Sequence, residues 1–205
     1  MNTDAVLLVV DVQNDFLPGG ALAVPRGDEV VPIVNRLAAQ FANVILTQDW
    51  HPASHISFAS RHPGRRPFET IELPYGRQVL WPEHCVQGSR GAEFHAALAV
   101  HHAQAVIRKG YHAHTDSYSA LLEADRVTPT GLRGMLRERG IRRIYCCGLA
   151  TDFCVAGSAL DAQAAGFETF VIEDACRAID SGGSLAAARR DLAAAGVRMV
   201  PADRL

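Results

Sequence analysis

The sequence predicts a three-layer α/β/α domain of the Rossmann-like class, built on a six-stranded, mostly parallel sheet. Short apolar runs alternate along the chain with amphipathic stretches of helical period. The first run, residues 5–12 (A-V-L-L-V-V-D-V), is apolar on both faces, as a strand in the middle of a parallel sheet should be. The length of 205 residues suits one domain. No linker or internal repeat interrupts it, so we expect a single domain over residues 1–205.

The first half of the chain predicts one helix, a second strand and a long irregular segment. Asp28 is placed to cap a helix that continues as V-V-P-I-V-N-R-L-A-A-Q-F, and residues 43–48 form the second strand. Residues 52–91 are rich in Pro, Gly, Arg and His and contain only a short hairpin pattern, I-E-L-P-Y-G-R-Q-V-L. Because a loop this long in a compact domain is usually functional, we expect a lid that also contributes to a metal site.

The second half of the chain continues the alternation of helices and strands. A helix around residues 92–100 precedes a strand around residues 103–108. Thr128 as N-cap and Pro129 at the first helical position predict a helix that runs to residue 140. The remaining elements are a strand at 144–147, a helix from 152 to a glycine cap at 166, a strand at 168–172, a helix at 184–195 and a strand at 197–200.

Composition and charge exclude several classes of function. A hydrophobic content of 48% with 20% charged residues is ordinary for a globular protein, and a net charge of −2 provides no attraction to nucleic acid or to an anionic membrane. No apolar run is long enough to span a bilayer, and the N-terminal M-N-T-D lacks the basic region of a signal peptide. Five cysteines without framework spacing predict free thiols in the cytoplasm.

Cys154 is a candidate nucleophile because it falls in the first turn of the helix that follows the strand at residues 144–147. The helix dipole and the unpaired N–H groups of that turn favour the thiolate, which is the nucleophilic form. The same N–H groups can hold an oxyanion. A small core cysteine at the start of a helix explains this position equally well. The assignment therefore depends on which residues meet Cys154.

Asp11 and Lys109 each end a different predicted strand, at the sheet edge where ligands bind in open α/β folds. Lys109 ends an apolar strand and needs a partner there, and Asp11 is the natural one. With Cys154 they form a candidate triad in which Asp11 takes the thiol proton and Lys109 balances the charge. The alternative is a structural ion pair at the sheet edge.

Asp49, His51 and His84 form a candidate metal site. One carboxylate and two imidazoles suit zinc, iron(II) or manganese and leave positions open for water or substrate. Taken alone, the Asp-x-His pair is explained as well by a loop turn with a hydrogen-bonded histidine. His55, four residues after His51, is either a further ligand or part of the pocket lining.

Five motifs together resemble the nicotinamidase (pyrazinamidase) branch of the isochorismatase-like hydrolases over nearly the whole chain. They are D-V-Q-N-D-F from Asp11, D-W-H-P-x-S-H from Asp49, W-P-E-H-C-V-Q-G from Trp81, R-K-G around Lys109 and G-L-A-T-D-F-C-V ending at Val155. The resemblance implies a Rossmann-like sheet and the triad named above. It also implies one divalent metal ion at the three residues named above, with zinc ahead of iron(II) and manganese.

The same resemblance implies the surroundings of the nucleophile. A cis peptide bond in the turn before Cys154 would fall at Ala150–Thr151, where backbone N–H groups would face the oxyanion. Four aromatic side chains would line the pocket for a pyridine ring, namely Phe16, Trp81, Tyr118 and Phe153.

The activity implied is hydrolysis of nicotinamide to nicotinate and ammonia, and also of pyrazinamide, through a cysteine thioester. Such an amidase would serve pyridine nucleotide biosynthesis by recycling nicotinamide toward NAD. The implied partner is the small-molecule substrate, and a homo-oligomer is compatible with the sequence. An alternative within the superfamily is an N-carbamoyl amide hydrolase, which shares the triad but is not expected to carry both metal motifs. A non-catalytic metal-binding or scaffold protein of the same fold is disfavoured by the complete triad.

Overall fold

The computed structural model describes residues 3–205, and within them eight strands and four α-helices occur. The strands are β1 (Ala5–Val10), β2 (Val44–Asp49), β3 (Thr70–Leu73), β4 (Gly76–Val79), β5 (Ala105–Lys109), β6 (Arg143–Leu149), β7 (Glu168–Arg177) and β8 (Arg198–Val200). The α-helices are α1 (Val30–Ala38), α2 (Leu132–Glu138), α3 (Ala156–Ala164) and α4 (Ser184–Ala194). No helix of this described part is long and apolar enough to cross a membrane.

Six of the strands form one sheet in the order β5-β2-β1-β6-β7-β8, and every neighbouring pair is parallel. The predicted α/β class with a six-stranded sheet is confirmed. β1 lies in the middle, and each of its residues is at most 4% exposed, as its apolar sequence on both faces predicts. The predicted hairpin is also present, since β3 and β4 pair antiparallel in a separate small sheet.

The strand order reverses between β1 and β6. From β1 the chain builds outward through β2 to β5, and then crosses to β6 on the other side of β1. In open parallel sheets this reversal opens a crevice at the carboxyl ends of the strands. The residues that follow β1 and β6 therefore meet at one place, and these include Asp11 and Cys154.

The start of α1 differs from the sequence expectation. A 3₁₀ turn, Gly27–Glu29, leads into the helix, and no side chain, including that of Asp28, caps it by a hydrogen bond within residues 3–205. Pro32 occupies the first turn, where its missing N–H has no helical partner to lose. Burial follows the helical period, with one face turned to the core that consists of Val30, Val31, Val34, Leu37 and Ala38.

The helix predicted at residues 92–100 is absent, and only a 3₁₀ turn at Arg90–Ala92 forms there. The backbone of this segment pairs with the chain that follows β1. Phe94 forms an antiparallel bridge with Gln13, and the N–H of His95 donates to the carbonyl of Val12 at 3.0 Å. These long-range hydrogen bonds use the backbone groups that a helix would need. The prediction was wrong because tertiary contacts override the local helix propensity.

The helix predicted from Thr128 begins later, at the first residue of α2. The Thr128 hydroxyl and N–H both donate to the carboxylate of Asp125, at 2.6 and 2.9 Å, so Thr128 closes a turn instead of capping a helix. Pro129 forms a bridge with Leu122, and Gly131, at φ 96°, precedes the helix. The short polar side chain of Asp125 therefore competes successfully with the predicted cap.

β7 is twice the predicted length and continues beyond residue 172 to Arg177. Its pairing with β6 shifts register between Cys146 and Gly148, and Gly148 has φ 113°. A Cβ at this glycine would lie 2.1 Å from the carbonyl oxygen of Val10. The absence of a side chain thus permits the irregularity that precedes the turn after β6.

Gly148→Ala should lower the free energy of unfolding by at least about 3 kcal/mol, because the new Cβ meets backbone atoms and the residue has positive φ. Gly134→Ala is the matched control. A Cβ at Gly134, inside α2, has no neighbour within 4 Å, so this variant should gain about 0.5–1 kcal/mol from helix propensity. Urea unfolding monitored by circular dichroism measures both. Equal stability of the two variants would show that β6 tolerates a side chain at this point.

Candidate active site

Cys154 lies in a π-helical turn, Thr151–Val155, between β6 and α3. We expected Cys154 in the first turn of an α-helix, but it lies in the π-helical turn that directly precedes α3. The turn is wide because the carbonyl of Ala150 accepts hydrogen bonds from the N–H groups of both Phe153 and Val155, each at 3.1 Å. Such turns are rare inside helices and are frequent at functional sites.

The cis peptide bond near the nucleophile joins Leu149 and Ala150, one residue earlier than expected. The sequence carries no local signal for its position, because proline is the residue that ordinarily marks such a bond. Among residues 3–205, no group accepts a hydrogen bond from the N–H of Ala150. The N–H of Thr151 likewise has no acceptor among these residues, so both N–H groups are free donors near Cys154.

Lys109 connects the candidate triad. Its ammonium nitrogen lies 2.8 Å from Oδ2 of Asp11 and 3.2 Å from Sγ of Cys154. It also donates to the carbonyl of Ser117 at 3.1 Å and to the carboxylate of Asp49. The Lys109 side chain is 0% exposed, so a full positive charge is held inside the protein by these partners. The structure thus brings together the three residues that the sequence suggested.

Burial and the lysine set the ionisation of this group. Burial opposes the charged forms of Lys109 and Asp49, but the charges stabilise each other, so the pKa of Lys109 is raised and that of Asp49 is lowered. Burial raises the pKa of Asp11, against the influence of Lys109. Burial also raises the pKa of the Cys154 thiol well above its ordinary value, and Lys109 only partly opposes this. Burial therefore opposes the thiolate that the start of the helix was expected to favour.

Thr47 orients Asp11, a contact that the sequence did not predict. The Thr47 hydroxyl donates to Oδ1 of Asp11 at 2.5 Å and accepts the Asp11 backbone N–H at 3.1 Å. Oδ2 lies beside Lys109 but accepts no well-aligned hydrogen bond within residues 3–205. One oxygen of this carboxylate is thus fixed, and the other remains free to take a proton.

Asp49, His51 and His84 converge as predicted, with one ligand atom from each within 4.8 Å of the others. Nε2 of His51 and Nε2 of His84 lie 3.5 and 3.7 Å from the same Asp49 oxygen. Nδ1 of His51 is 2.8 Å from the carbonyl of Gly110, and Nδ1 of His84 is 2.9 Å from that of Pro82. A proton on each Nδ1 leaves each Nε2 lone pair for a metal, so the donor set fits a divalent cation.

His55 does not belong to this ligand set, although its ring centroid lies 4.2 Å from that of His51. Its Nδ1 accepts from the hydroxyl of Ser57 at 2.7 Å, and its Nε2 donates to the carbonyl of Thr115 at 3.2 Å. It also clusters with His51 and Asp116. Both nitrogens already have partners and the ring packs beside that of His51, so a role of His55 as a further ligand stays a prediction.

The buried amide of Gln13 holds the metal cluster to the sheet, and sequence reasoning missed it. Its Oε1 accepts the backbone N–H of Asp49, and its Nε2 donates to the carbonyls of Asp49 and Ala92, all at 2.8 Å. Gly110 must also lack a side chain, since a Cβ there would lie 2.4 Å from the ring of His51. Gln13 lies in the motif that begins at Asp11, and Gly110 lies in the motif around Lys109, so these motifs could have identified both residues.

A narrow cavity opens beside Cys154. Its lining consists of Phe16, Leu22, Asp49, Trp81, His84, Tyr118, Ala150, Phe153, Cys154 and Ile179. All four predicted aromatic residues are present, and the indole N–H of Trp81 donates to the hydroxyl of Tyr118 at 3.1 Å. The rings of Trp81 and Phe153 meet edge to face, with centroids 4.8 Å apart. Leu22 and Ile179 were not predicted, because they come from loops without a motif.

Comparison with known proteins gives a consistent result. The model of the isochorismatase domain family matches residues 5–203. A nicotinamidase of Acinetobacter baylyi is 56% identical over 197 residues, which cover 96% of this chain and 92% of that protein. A solved structure of a nicotinamidase/pyrazinamidase from Acinetobacter baumanii superposes with a TM-score of 0.99 at 58% identity and covers both chains completely. A pyrazinamidase of Pyrococcus horikoshii in complex with zinc has a TM-score of 0.80 at 36% identity, covering 97% of this chain and 99% of that one.

A substoichiometric dose of iodoacetamide should label Cys154 ahead of the other four cysteines, because Cys154 alone among them lines the cavity. The other thiols are buried elsewhere, at Cys85, Cys146, Cys147 and Cys176. Since burial raises the pKa of Cys154, the labelling rate should increase as pH rises above neutrality. Peptide mass spectrometry locates the label, and Cys154→Ala provides the control. Labelling mainly at Cys85 would contradict the assignment.

His84→Ala should lose most of the bound metal, because it removes one of the three converging donors. His55→Ala is the matched control, since it removes a neighbouring buried imidazole whose nitrogens already have partners. Elemental analysis by mass spectrometry after gel filtration measures metal per chain, and circular dichroism checks the fold. Equal metal loss in both variants would mean that His55 is a ligand.

Proposed function

The chain belongs to the isochorismatase domain family, and on that premise we propose that it hydrolyses nicotinamide to nicotinate and ammonia. The observation that carries this proposal is the convergence of three features on one cavity. Cys154, two members of the metal-binding cluster (Asp49 and His84) and four aromatic side chains line the same space, and Lys109 connects Cys154 to the carboxylate of Asp11. Pyrazinamide is proposed as a second substrate, since it also has a ring nitrogen in the position meta to the carboxamide.

We assign the first chemical step to Cys154 and Asp11. The thiol proton passes to Asp11, whose carboxylate has an oxygen within 4.8 Å of Sγ and whose Oδ2 has no well-aligned donor within residues 3–205. The sulfur then attacks the carboxamide carbon. The backbone N–H groups of Ala150 and Cys154 would stabilise the resulting oxyanion. Lys109 holds both reacting groups and compensates the charge between them.

The second step releases ammonia and then nicotinate. As the tetrahedral adduct collapses, Asp11 returns its proton to the departing nitrogen, and a thioester of Cys154 remains. Asp11 is then again a carboxylate and can remove a proton from an attacking water. Hydrolysis of the thioester gives nicotinate and restores the thiol. The raised pKa of Asp11 suits this alternation between base and acid.

Asp49, His51 and His84 would hold one divalent metal ion, and zinc is our proposal for its identity. When bound, the ion supplies a Lewis acid for the ring nitrogen of the substrate. The carboxylate of Asp49 also binds Lys109, so the metal site and the triad share one charged group. This shared carboxylate positions the ring site relative to Cys154.

The proposed biological role is the return of nicotinamide toward NAD, which the similarity to nicotinamidases implies. All five cysteines are unpaired in the structure. This supports the expectation of a reducing compartment such as the cytoplasm.

Purified protein should release ammonia from nicotinamide, and Cys154→Ala should reduce the rate by at least about 10³-fold while leaving the fold intact. Cys147→Ala is the matched control, because its thiol is buried in β6 away from the cavity lining. Benzamide, which has the carboxamide but lacks the ring nitrogen, should be a poor substrate. A coupled ammonia assay measures all three. Wild-type turnover of benzamide equal to that of nicotinamide would refute the role of the ring nitrogen.

A further inference from the structure

The nucleophile turn carries a second carboxylate that the mechanism does not use. Asp152 is 9% exposed and lies two residues before Cys154. Its Oδ1 accepts the backbone N–H of Ile179 at 3.1 Å, and its Oδ2 accepts the N–H of Asp180 at 2.8 Å. Oδ2 also accepts a hydrogen bond from the hydroxyl of Ser184. One side chain therefore satisfies two donors of the loop after β7 and one at the start of α4.

The loop in question spans residues 178–183, between β7 and α4. Three of its residues have positive φ, namely Asp180, Gly182 and Gly183. Within the described part of the chain, the loop forms hydrogen bonds with α4 and, outside α4, only with Asp152. A loop with such a backbone and so few bonds depends on its anchor for a defined position.

The loop also contributes to the cavity. Ile179 is one of its lining residues, together with Phe153 and Cys154 on the turn that carries Asp152. The N–H that positions Ile179 is the one held by Oδ1 of Asp152. The start of α4 packs on the same turn, so Asp152 and the loop that carries Ile179 are held together as one packed unit.

We propose that Asp152 is a positioning residue that fixes Ile179 as a wall of the ring pocket and thereby limits the substituents that are accepted on the ring. This inference rests on the proposed function, because the ring is that of the substrate assigned above. Asp152 acts through Ile179 and does not touch the reacting atoms. Its loss therefore affects substrate binding and ring selection more than the chemical step.

Asp152→Asn tests this role, because the amide nitrogen cannot accept the N–H or O–H bonds that the lost oxygen accepted. KM for nicotinamide should rise at least about tenfold, the loss expected for a charge-assisted hydrogen bond, with kcat changed less than about threefold. The kcat/KM ratio of 5-methylnicotinamide to nicotinamide should increase. In the substrate-free protein, the amides of Ile179 and Asp180 should exchange hydrogen faster.

Asp174→Asn is the matched control. Its carboxylate also accepts a backbone N–H, that of Ala202 at 2.8 Å, but away from the cavity. It should leave KM, ring preference and exchange at residues 179–180 unchanged. Ile179→Ala should raise KM in the same way as Asp152→Asn. The KM of the double variant should not exceed that of the more impaired single variant, because both changes remove the same wall of the pocket.

The outcomes separate this inference from the proposed function. A wild-type protein without activity on nicotinamide would refute the proposed function. An active wild type together with an Asp152→Asn variant of unchanged KM and ring preference would overturn the role of Asp152 alone. If Asp152→Asn does not fold, Ser184→Ala removes one of the three bonds and should give a smaller KM rise in the same direction. An unchanged KM in that variant, or in Ile179→Ala, would also overturn the inference.

Discussion

The buried ammonium of Lys109 is the interaction on which the rest of the site depends. A lysine without exposed surface is stable only if opposite charges and acceptors surround it, and here two carboxylates, a thiol and a carbonyl do so. The lysine ends the edge strand β5, whereas its partners Asp11 and Cys154 follow strands nearer the middle of the sheet. The charged and thiol partners of this ammonium therefore come from the ends of three other strands, β1, β2 and β6.

The sheet provides the geometry that this charge cluster requires. The reversal of strand order next to β1 leaves a crevice where Asp11 and Cys154 meet. Buried polar groups then fix each reacting side chain: Thr47 holds one oxygen of Asp11, Gln13 holds the backbone of Asp49, and Gly110 leaves space for His51. These contacts reduce the freedom of the catalytic groups before a substrate arrives.

The sequence predicted elements well where local pattern and tertiary packing agree. β1 is buried along its whole length and α1 buries one face with the helical period, as predicted, and all six sheet strands were found. The predictions failed where a long-range or competing contact used the backbone. The segment at residues 92–100 pairs with the chain after β1, and Asp125 takes the hydroxyl that Thr128 would have used as a cap. Propensity is a weak prior against such contacts.

The sequence alone determined the parallel α/β sheet and the residue types of the site, because strand ends with Asp11, Asp49, Lys109 and Cys154 share one edge of such a sheet. Only the tertiary structure decided the details that depend on contacts between distant segments. It located the cis bond one residue earlier, engaged both nitrogens of His55, and raised the pKa of the Cys154 thiol by burial. Hydrogen-bond geometry and solvent exclusion are set by the whole fold, and no local sequence pattern encodes them.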